Sequence, residues 1–155
     1  EFGAFTVSPW CISETDQLGS DFGYLGLPSE FYPRSSYYHT RMMAMHMKGR
    51  FMATGSNNAY VKTIGSVSED GSCIMILNRD QVHDFDFVLF LNTRGESGKP
   101  LVINADAGID GTIQGNIPNQ TTLLYVLSAT GQIIKIYRYG LTHNLSNLPP
   151  EIIRE

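Results

Sequence analysis

The sequence predicts a mainly β protein, an antiparallel Greek-key β-sandwich with one N-terminal α-helix packed on it. Before residue 50, one stretch has apolar residues at helical spacing. After it come short runs in which apolar residues recur at every second position. Clusters of Gly, Asn and Asp separate those runs at the spacing of antiparallel strands. A chain of 155 residues fits one domain. One helix followed by many short strands therefore favours a sandwich over a parallel sheet.

The same pattern divides the chain into three zones. Residues 1–50 form an irregular aromatic-rich segment followed by the helix. Residues 51–140 form the sandwich, and residues 141–155, rich in Asn and Pro, form a C-terminal strap or linker. No internal repeat of 20 to 50 residues is visible, which excludes a solenoid or a propeller.

The helix is predicted from about Ser36 to Lys48. Apolar side chains recur there at spacings of three and four, at Tyr38, Met42 and Met45. A hydroxyl of Ser35–Ser36 is expected to cap the first turn. Gly49 is expected to end the helix in the left-handed conformation.

Seven strands are predicted after the helix. Glu69–Gly71 and Ala129–Gly131 supply hairpin turns, because glycine tolerates the positive φ that tight connections need. The strands are Tyr60–Val67, Ser72–Asn78, Phe85–Asn92, Pro100–Ala105, Gly111–Ile117, Thr121–Leu127 and Gln132–Tyr139.

Composition and charge exclude two classes of partner. Charged residues make up 17% of the chain and the net charge is -4, with a sequence pI of about 5.5. Binding to a phosphate backbone is driven by clustered Lys and Arg, and the eleven basic residues here are scattered. Neither a nucleic acid nor an anionic membrane is therefore expected as a partner, and a surface poor in charge suits a neutral one.

The two cysteines, Cys11 and Cys73, are too few for a disulfide scaffold and form no C-x-x-C pair for zinc or redox chemistry. One Cys11–Cys73 disulfide in an oxidising compartment is one interpretation. Two buried free thiols is the other.

The densest acidic stretch surrounds His83 and contains Asp80, Asp84 and Asp86. Hydrolysis by paired carboxylates needs two of them held across the scissile bond. An ordinary hairpin loop with turn-forming Asp is the favoured interpretation, and catalysis is the alternative.

Asn104, Asp106 and Asp110 have the oxygen ligands of a calcium loop. The EF-hand pattern fails, because Ile109 stands where it needs Gly and Gly115 stands where it needs an acidic residue. A turn is favoured and a structural Ca²⁺ is the alternative; no other cofactor is expected.

Aromatic residues suggest a carbohydrate site. The chain has 8 Tyr, 8 Phe and 1 Trp, and aromatic faces stack on the apolar C–H faces of sugar rings while amides and carboxylates bind the hydroxyls. The candidates outside the predicted core are Trp10, Tyr24, Tyr32, Tyr60 and Tyr139, with Asp84 as a carboxylate partner.

The order of segments resembles a known group of enzymes. Ser8-Pro9-Trp10, then Pro33 and Tyr37-Tyr38 opening a helix that ends at Gly49-Arg50-Phe51, resemble the last strand and helix of a (β/α)₈-barrel glycoside hydrolase. The runs Cys73–Arg79 and Ile117–Leu127 resemble the core strand and late hairpin of the appended β-sandwich. The chain is most similar to the C-terminal region of family 86 agarases and porphyranases, over roughly residues 10–139.

That resemblance implies a secreted bacterial enzyme that degrades agarose- or porphyran-type galactans, with its catalytic barrel in the same polypeptide. The catalytic glutamates of that family precede anything present here, so no catalytic role transfers to Glu14 or Glu30. The function expected is a non-catalytic accessory domain that binds the galactan. The alternatives are a purely structural domain that braces the barrel and a small hydrolase using His83 with Asp84 or Asp86.

Overall fold

A computed structural model describes residues 23–26, 32–91 and 112–154. Within these ranges the chain forms two α-helices and eight β-strands. The helices are α1 (Ser35–His46) and α2 (Leu141–Leu145). The strands are β1 (Arg50–Met52), β2 (Val61–Ser68), β3 (Gly71–Asn78), β4 (Phe85–Phe90), β5 (Thr112–Ile117), β6 (Thr121–Ser128), β7 (Ile133–Tyr139) and β8 (Glu151–Arg154).

The strands form two antiparallel sheets. The larger has six strands in the order β1-β2-β3-β6-β7-β8, and the smaller is the β4-β5 pair. The chain leaves the large sheet after β3, forms the small one, and returns to pair β6 with β3 over their full length, from Gly71 opposite Ser128 to Asn78 opposite Thr121. The predicted class, a mainly β sandwich with a helix packed on it, is confirmed, and the short helix α2 was not predicted.

Both faces of the large sheet are covered. On one face Ile74, Ile76 and Leu123 pack with Ile113 and Ile117 of β5. On the other face a second cluster joins the sheet to α1. The strands at the centre of the sheet are buried on both faces, which explains the unbroken apolar run of β3.

The second cluster brings the helix and the sheet into one core. Met42 of α1 packs with Cys73, Met75, Leu124 and Tyr139. The residues on the two sides of the boundary predicted at residue 50 therefore share one hydrophobic core.

The predicted strand positions agree with β2 to β7 to within two residues at each described end. The predicted strand Pro100–Ala105 lies outside the described residues. Two short edge strands, β1 and β8, were not predicted. The C-terminal zone, predicted as a strap or linker, contains α2 and then β8, which pairs with β7.

The helix cap differs from the prediction. The residue before α1 is Arg34, which makes no side-chain capping bond, and the Ser35 N–H instead donates to Oδ1 of Asn147 at 3.3 Å. A residue of the C-terminal zone thus satisfies a free amide of the first turn. Gly49 has the predicted left-handed conformation, with φ of 76°, but α1 ends at His46 with Met47 as its C-cap, so Gly49 does not end the helix as predicted.

The side chain of His39 links α1 to the sheet. Its Nδ1 lies 3.1 Å from the Ser35 carbonyl oxygen and its Nε2 lies 3.1 Å from Oγ1 of Thr122. Its ring meets Tyr139 edge-on, with centroids 4.5 Å apart. Burial lowers the pKa of His39 from the ordinary value of 6.5, although the bond to Ser35 opposes that shift.

We expect the free energy of unfolding to fall as the pH drops from about 7.5 to about 5. Because the pKa of His39 is lower in the folded protein, the unfolded chain takes up its proton first, and stability is lost below the unfolded pKa of 6.5. Burial lowers the pKa of His46 too, so it acts in the same direction.

Urea denaturation of the wild type and of His39→Asn across that pH range measures the effect. The His39→Asn profile should be flatter. Gly55→Ala serves as the control, because it changes no titratable group and its Cβ would meet no atom within 4 Å, and it should keep the wild-type profile. Identical slopes for wild type and His39→Asn would contradict the assignment.

Candidate functional site: a cleft beside strand β4

An open cleft of about 720 Å³ lies between β4 and the segment that joins β1 to β2. Strand β4 pairs with β5 along one edge. Among the described residues its other edge has no strand partner, and all six residues of β4 line the cleft. The site therefore runs along an extended strand rather than into a closed cavity.

Successive side chains of β4 point to opposite faces of the strand, and its apolar side chains form one wall of the cleft. Phe85, Phe87 and Leu89 point towards the large sheet and pack against its core, while Val88 and Phe90 point outward. The Phe90 side chain is 75% exposed and lies in the lining of the cleft. An exposed ring in a concave site offers a flat apolar face to a ligand.

Glycine sets the position of the Phe87 ring. A Cβ at Gly115, directly opposite in β5, would lie 2.9 Å from the Phe87 ring. The ring therefore lies directly over the β5 backbone, and it meets Tyr125 edge-on at 6.4 Å. These contacts hold one aromatic wall of the cleft in place.

The opposite wall is polar and held by its own hydrogen bonds. Thr54 Oγ1 donates to the Thr63 carbonyl at 2.7 Å, which ties the segment to β2. The Asn58 N–H donates to Ser56 Oγ at 3.1 Å, and Asn58 Oδ1 accepts from the Tyr60 N–H at 2.8 Å. Ser56, Asn57 and Asn58 all line the cleft, so its lining contains hydroxyl and amide side chains as well as aromatic ones.

Two polar side chains of the lining make no hydrogen bond among the described residues. Thr63 Oγ1 is buried and has no hydrogen-bond partner, and Thr63 lies in the wall of the cleft. A buried hydroxyl without a partner is uncommon and costs stability. Within the described part of the chain the Asn57 side chain also makes no hydrogen bond. Asn57 is exposed, so a hydroxyl-bearing ligand would satisfy its side chain, whereas the Thr63 hydroxyl is out of a ligand's reach.

The lining carries one charged side chain. Asp86 belongs to the outward face of β4, and its Oδ1 accepts from Asn116 Nδ2 at 3.0 Å. No Lys, Arg or His is among the described residues of the lining. The cleft is therefore weakly acidic and suited to an uncharged ligand.

The aromatic residues predicted to bind carbohydrate do not form this cleft. Trp10 lies outside the described residues. Tyr24 is half-buried and its hydroxyl accepts from Thr40 Oγ1 at 3.1 Å, whereas the exposed Tyr32 packs its ring against Gly26. Tyr60 is exposed beside the cleft segment but is not in its lining. No ring contact among the described residues joins Tyr60 to Tyr24 or Tyr32.

The prediction for Tyr139 was wrong. Its side chain is only 2% exposed, between the large sheet and α1. Burial raises the pKa of Tyr139 to about 12, and its hydroxyl donates to the His143 carbonyl at 3.3 Å. Tyr139 is a core residue and has no face for a polymer.

The acidic loop around His83 is built as a turn. Asp80 Oδ1 accepts the N–H groups of Val82 and His83 at 2.8 and 2.9 Å, and these bonds lower the pKa of Asp80. Asp84 Oδ1 accepts from the Asn119 N–H at 2.8 Å, so this predicted sugar ligand joins two loops. His83 contacts Asp80 and, among the described residues, makes no bond to Asp84 or Asp86. A depressed pKa is the opposite of what a catalytic acid needs.

Metal and thiol chemistry have no site in the described ranges. No group of three or more His, Cys, Asp or Glu there could hold a metal ion. The calcium candidates Asn104, Asp106 and Asp110 lie outside those ranges. Cys73 is a free, buried thiol whose pKa burial raises to about 12, so it is a poor nucleophile. Cys11 lies outside the described residues.

Comparison with protein-family models, with curated proteins and with solved structures finds no match. None of the described helices is long and apolar enough to cross a membrane. The cleft is the feature that sequence reasoning missed. The cluster Gly55–Asn58 and the alternation of Phe85 and Phe87 were visible in the sequence, but nothing in it placed them side by side.

Proposed function

We propose that this chain is a non-catalytic accessory module of a secreted polysaccharide-degrading glycoside hydrolase, and that it binds a neutral polysaccharide along β4. The observation that carries the proposal is the composition of the cleft, whose lining combines the exposed Phe90 ring with the polar side chains of Ser56 and Asn57. A sugar ring needs both kinds of group, an apolar face for its C–H bonds and amides or hydroxyls for its hydroxyls.

The open shape of the cleft supports a polymer as the ligand. Strand β4 has six residues, which at about 3.3 Å per residue gives a wall roughly 20 Å long. Such a length accommodates several consecutive sugar units.

The charge of the cleft bears on which polymer binds. Asp86, with no cation beside it in the described lining, would repel sulfate groups. An uncharged galactan such as agarose is therefore preferred over a sulfated one such as porphyran. The resemblance noted in the sequence makes agarose the first polymer to test.

We propose no catalytic role for the cleft. Glycoside hydrolysis needs two carboxyl groups across the scissile bond, and Asp86 is the single carboxylate in the described lining. Its side chain accepts a hydrogen bond from Asn116, and this bond links β4 to β5. The hydrolase alternative through His83 has no support in the turn geometry of that loop.

Affinity electrophoresis through agarose-containing gels tests the proposal with a matched pair of variants. Phe90→Ala should lose most of the retardation of the wild type, since a stacked ring contributes about 1 to 1.5 kcal/mol, roughly tenfold in Kd. Phe51→Ala is the control, because Phe51 is 72% exposed on edge strand β1 and is not part of the cleft. It should migrate like the wild type.

Two outcomes would overturn the proposal. One is a wild type that migrates unretarded in every galactan. The other is equal retardation of Phe90→Ala and Phe51→Ala.

A second candidate function is bracing of a catalytic barrel without sugar binding. It is favoured by the exposed apolar side chains of the C-terminal zone, Leu145, Leu148 and Ile153. Such side chains would be covered by a neighbouring domain. A wild type that binds no galactan but associates with the separately produced barrel would favour this function.

A further inference from the structure

A second, smaller pocket lies on the opposite side of the large sheet from the cleft. It has a volume of about 210 Å³ between α1, β7 and the segment that leads into β8. One wall consists of Tyr38, Met42 and Met45, which share a helix face because they are spaced by four and three residues. Pro149, Pro150 and Ile152 form the facing wall.

The floor of this pocket is aromatic and fixed. Tyr137 of β7 lines it, and its hydroxyl lies 3.1 Å from His46 Nε2. The His46 and Tyr137 rings are 5.0 Å apart. Prolines and paired rings are rigid, whereas the flexible Met side chains opposite them adapt to the shape of a ligand.

Among the described lining residues Arg41 carries the only permanent charge, and the carboxylate of Glu151, between Pro150 and Ile152, is paired with Arg138. Arg41 lies in its lining and, within the described part of the chain, makes neither a hydrogen bond nor an ion pair. Helix α1 contains no acidic residue. Burial is the main cause of the lowered pKa of His46. Two charges lower it further, and both are cationic, those of Lys135 and Lys48. An anionic group at the mouth of the pocket would meet no carboxylate of α1.

We propose that this pocket binds a small aromatic carboxylate, with its ring between Tyr137 and the proline wall and its carboxylate on Arg41. A guanidinium matches a carboxylate with two parallel hydrogen bonds. The apolar lining and the small volume favour a single ring over a phosphate or a sugar, which would leave polar groups unpaired. The site is independent of the cleft at β4.

Titration of the full chain with phenylacetate and with its neutral analogue phenylacetamide, followed by ¹H–¹⁵N NMR, tests the proposal. Phenylacetate should shift the amides of residues 38–46, 137 and 151–152, and should bind roughly tenfold more tightly than the amide. Arg41→Gln should remove that difference. It should leave phenylacetamide binding unchanged.

A matched pair on β8 tests the position of the ring. Ile152 lines the pocket and Ile153 does not, and their exposures are similar at 47% and 44%. Ile152→Ala should weaken both ligands several-fold, and Ile153→Ala should leave both unchanged. Three outcomes would overturn the proposal: equal affinity for acid and amide, equal effects of the two alanine variants, or no shift at the pocket. None of them bears on polysaccharide binding.

Discussion

Replacing Leu124 by alanine is expected to lower the free energy of unfolding by about 3 kcal/mol. Leu124 is fully buried in β6, opposite Met75 of β3 and Tyr137 of β7, on the face that Met42 of α1 covers. Truncation removes apolar burial and leaves a cavity among residues of three strands and the helix. Because small domains have about 5 to 15 kcal/mol of total stability, the loss is a large fraction.

Chemical denaturation of Leu124→Ala and of Leu145→Ala measures this effect. Leu145 belongs to α2 and is largely exposed, so its truncation should change the free energy of unfolding by less than about 0.5 kcal/mol. Comparable losses in the two variants would show that α1 and the sheet do not share a core.

Gly71→Ala is expected to lower the free energy of unfolding by at least about 2 kcal/mol. The loss comes from strain in the backbone and not from a cavity in the core. Gly71 begins β3 with φ of 151°, and a Cβ there would lie 2.1 Å from the Leu127 carbonyl oxygen. That oxygen belongs to the backbone of β6, so the clash cannot be relieved by rotating a side chain. The β2-β3 turn or the β3-β6 pairing must shift.

Gly55→Ala is the matched control for this substitution. A Cβ at Gly55 would meet no atom within 4 Å. Its melting temperature should equal that of the wild type or be slightly higher, because alanine makes the unfolded chain less flexible than glycine does. A Gly71→Ala protein as stable as Gly55→Ala would contradict the close approach of the two strands.

Much of the fold was predictable because it depends on local pattern. The helix and the strands β2 to β7 carry periodic apolar residues and glycine turns, such as Gly71 and Gly131, both of which have positive φ. Strands β1 and β8 have only three and four residues and are mostly exposed. Backbone pairing at a sheet edge forms them, and such pairing leaves no periodicity in the sequence.

What the sequence did not reveal depends on distant contacts. Asn147 caps α1 across 112 residues of chain, so no local motif could identify it. Tyr139 was assigned to a sugar site because its position on a strand does not tell whether a helix covers that face. The cleft places Asn57 and Phe90, which are distant in the sequence, in one lining, and no local pattern could indicate that.

The most direct test of polysaccharide binding along β4 is a ¹H–¹⁵N NMR titration of the chain with a neutral agarose oligosaccharide. Polysaccharide binding in the cleft predicts shifts concentrated at residues 55–58 and 85–90, with little change in α1 or β8. Saturable shifts that lie elsewhere on the protein, or no shift at any concentration of the oligosaccharide, would contradict it.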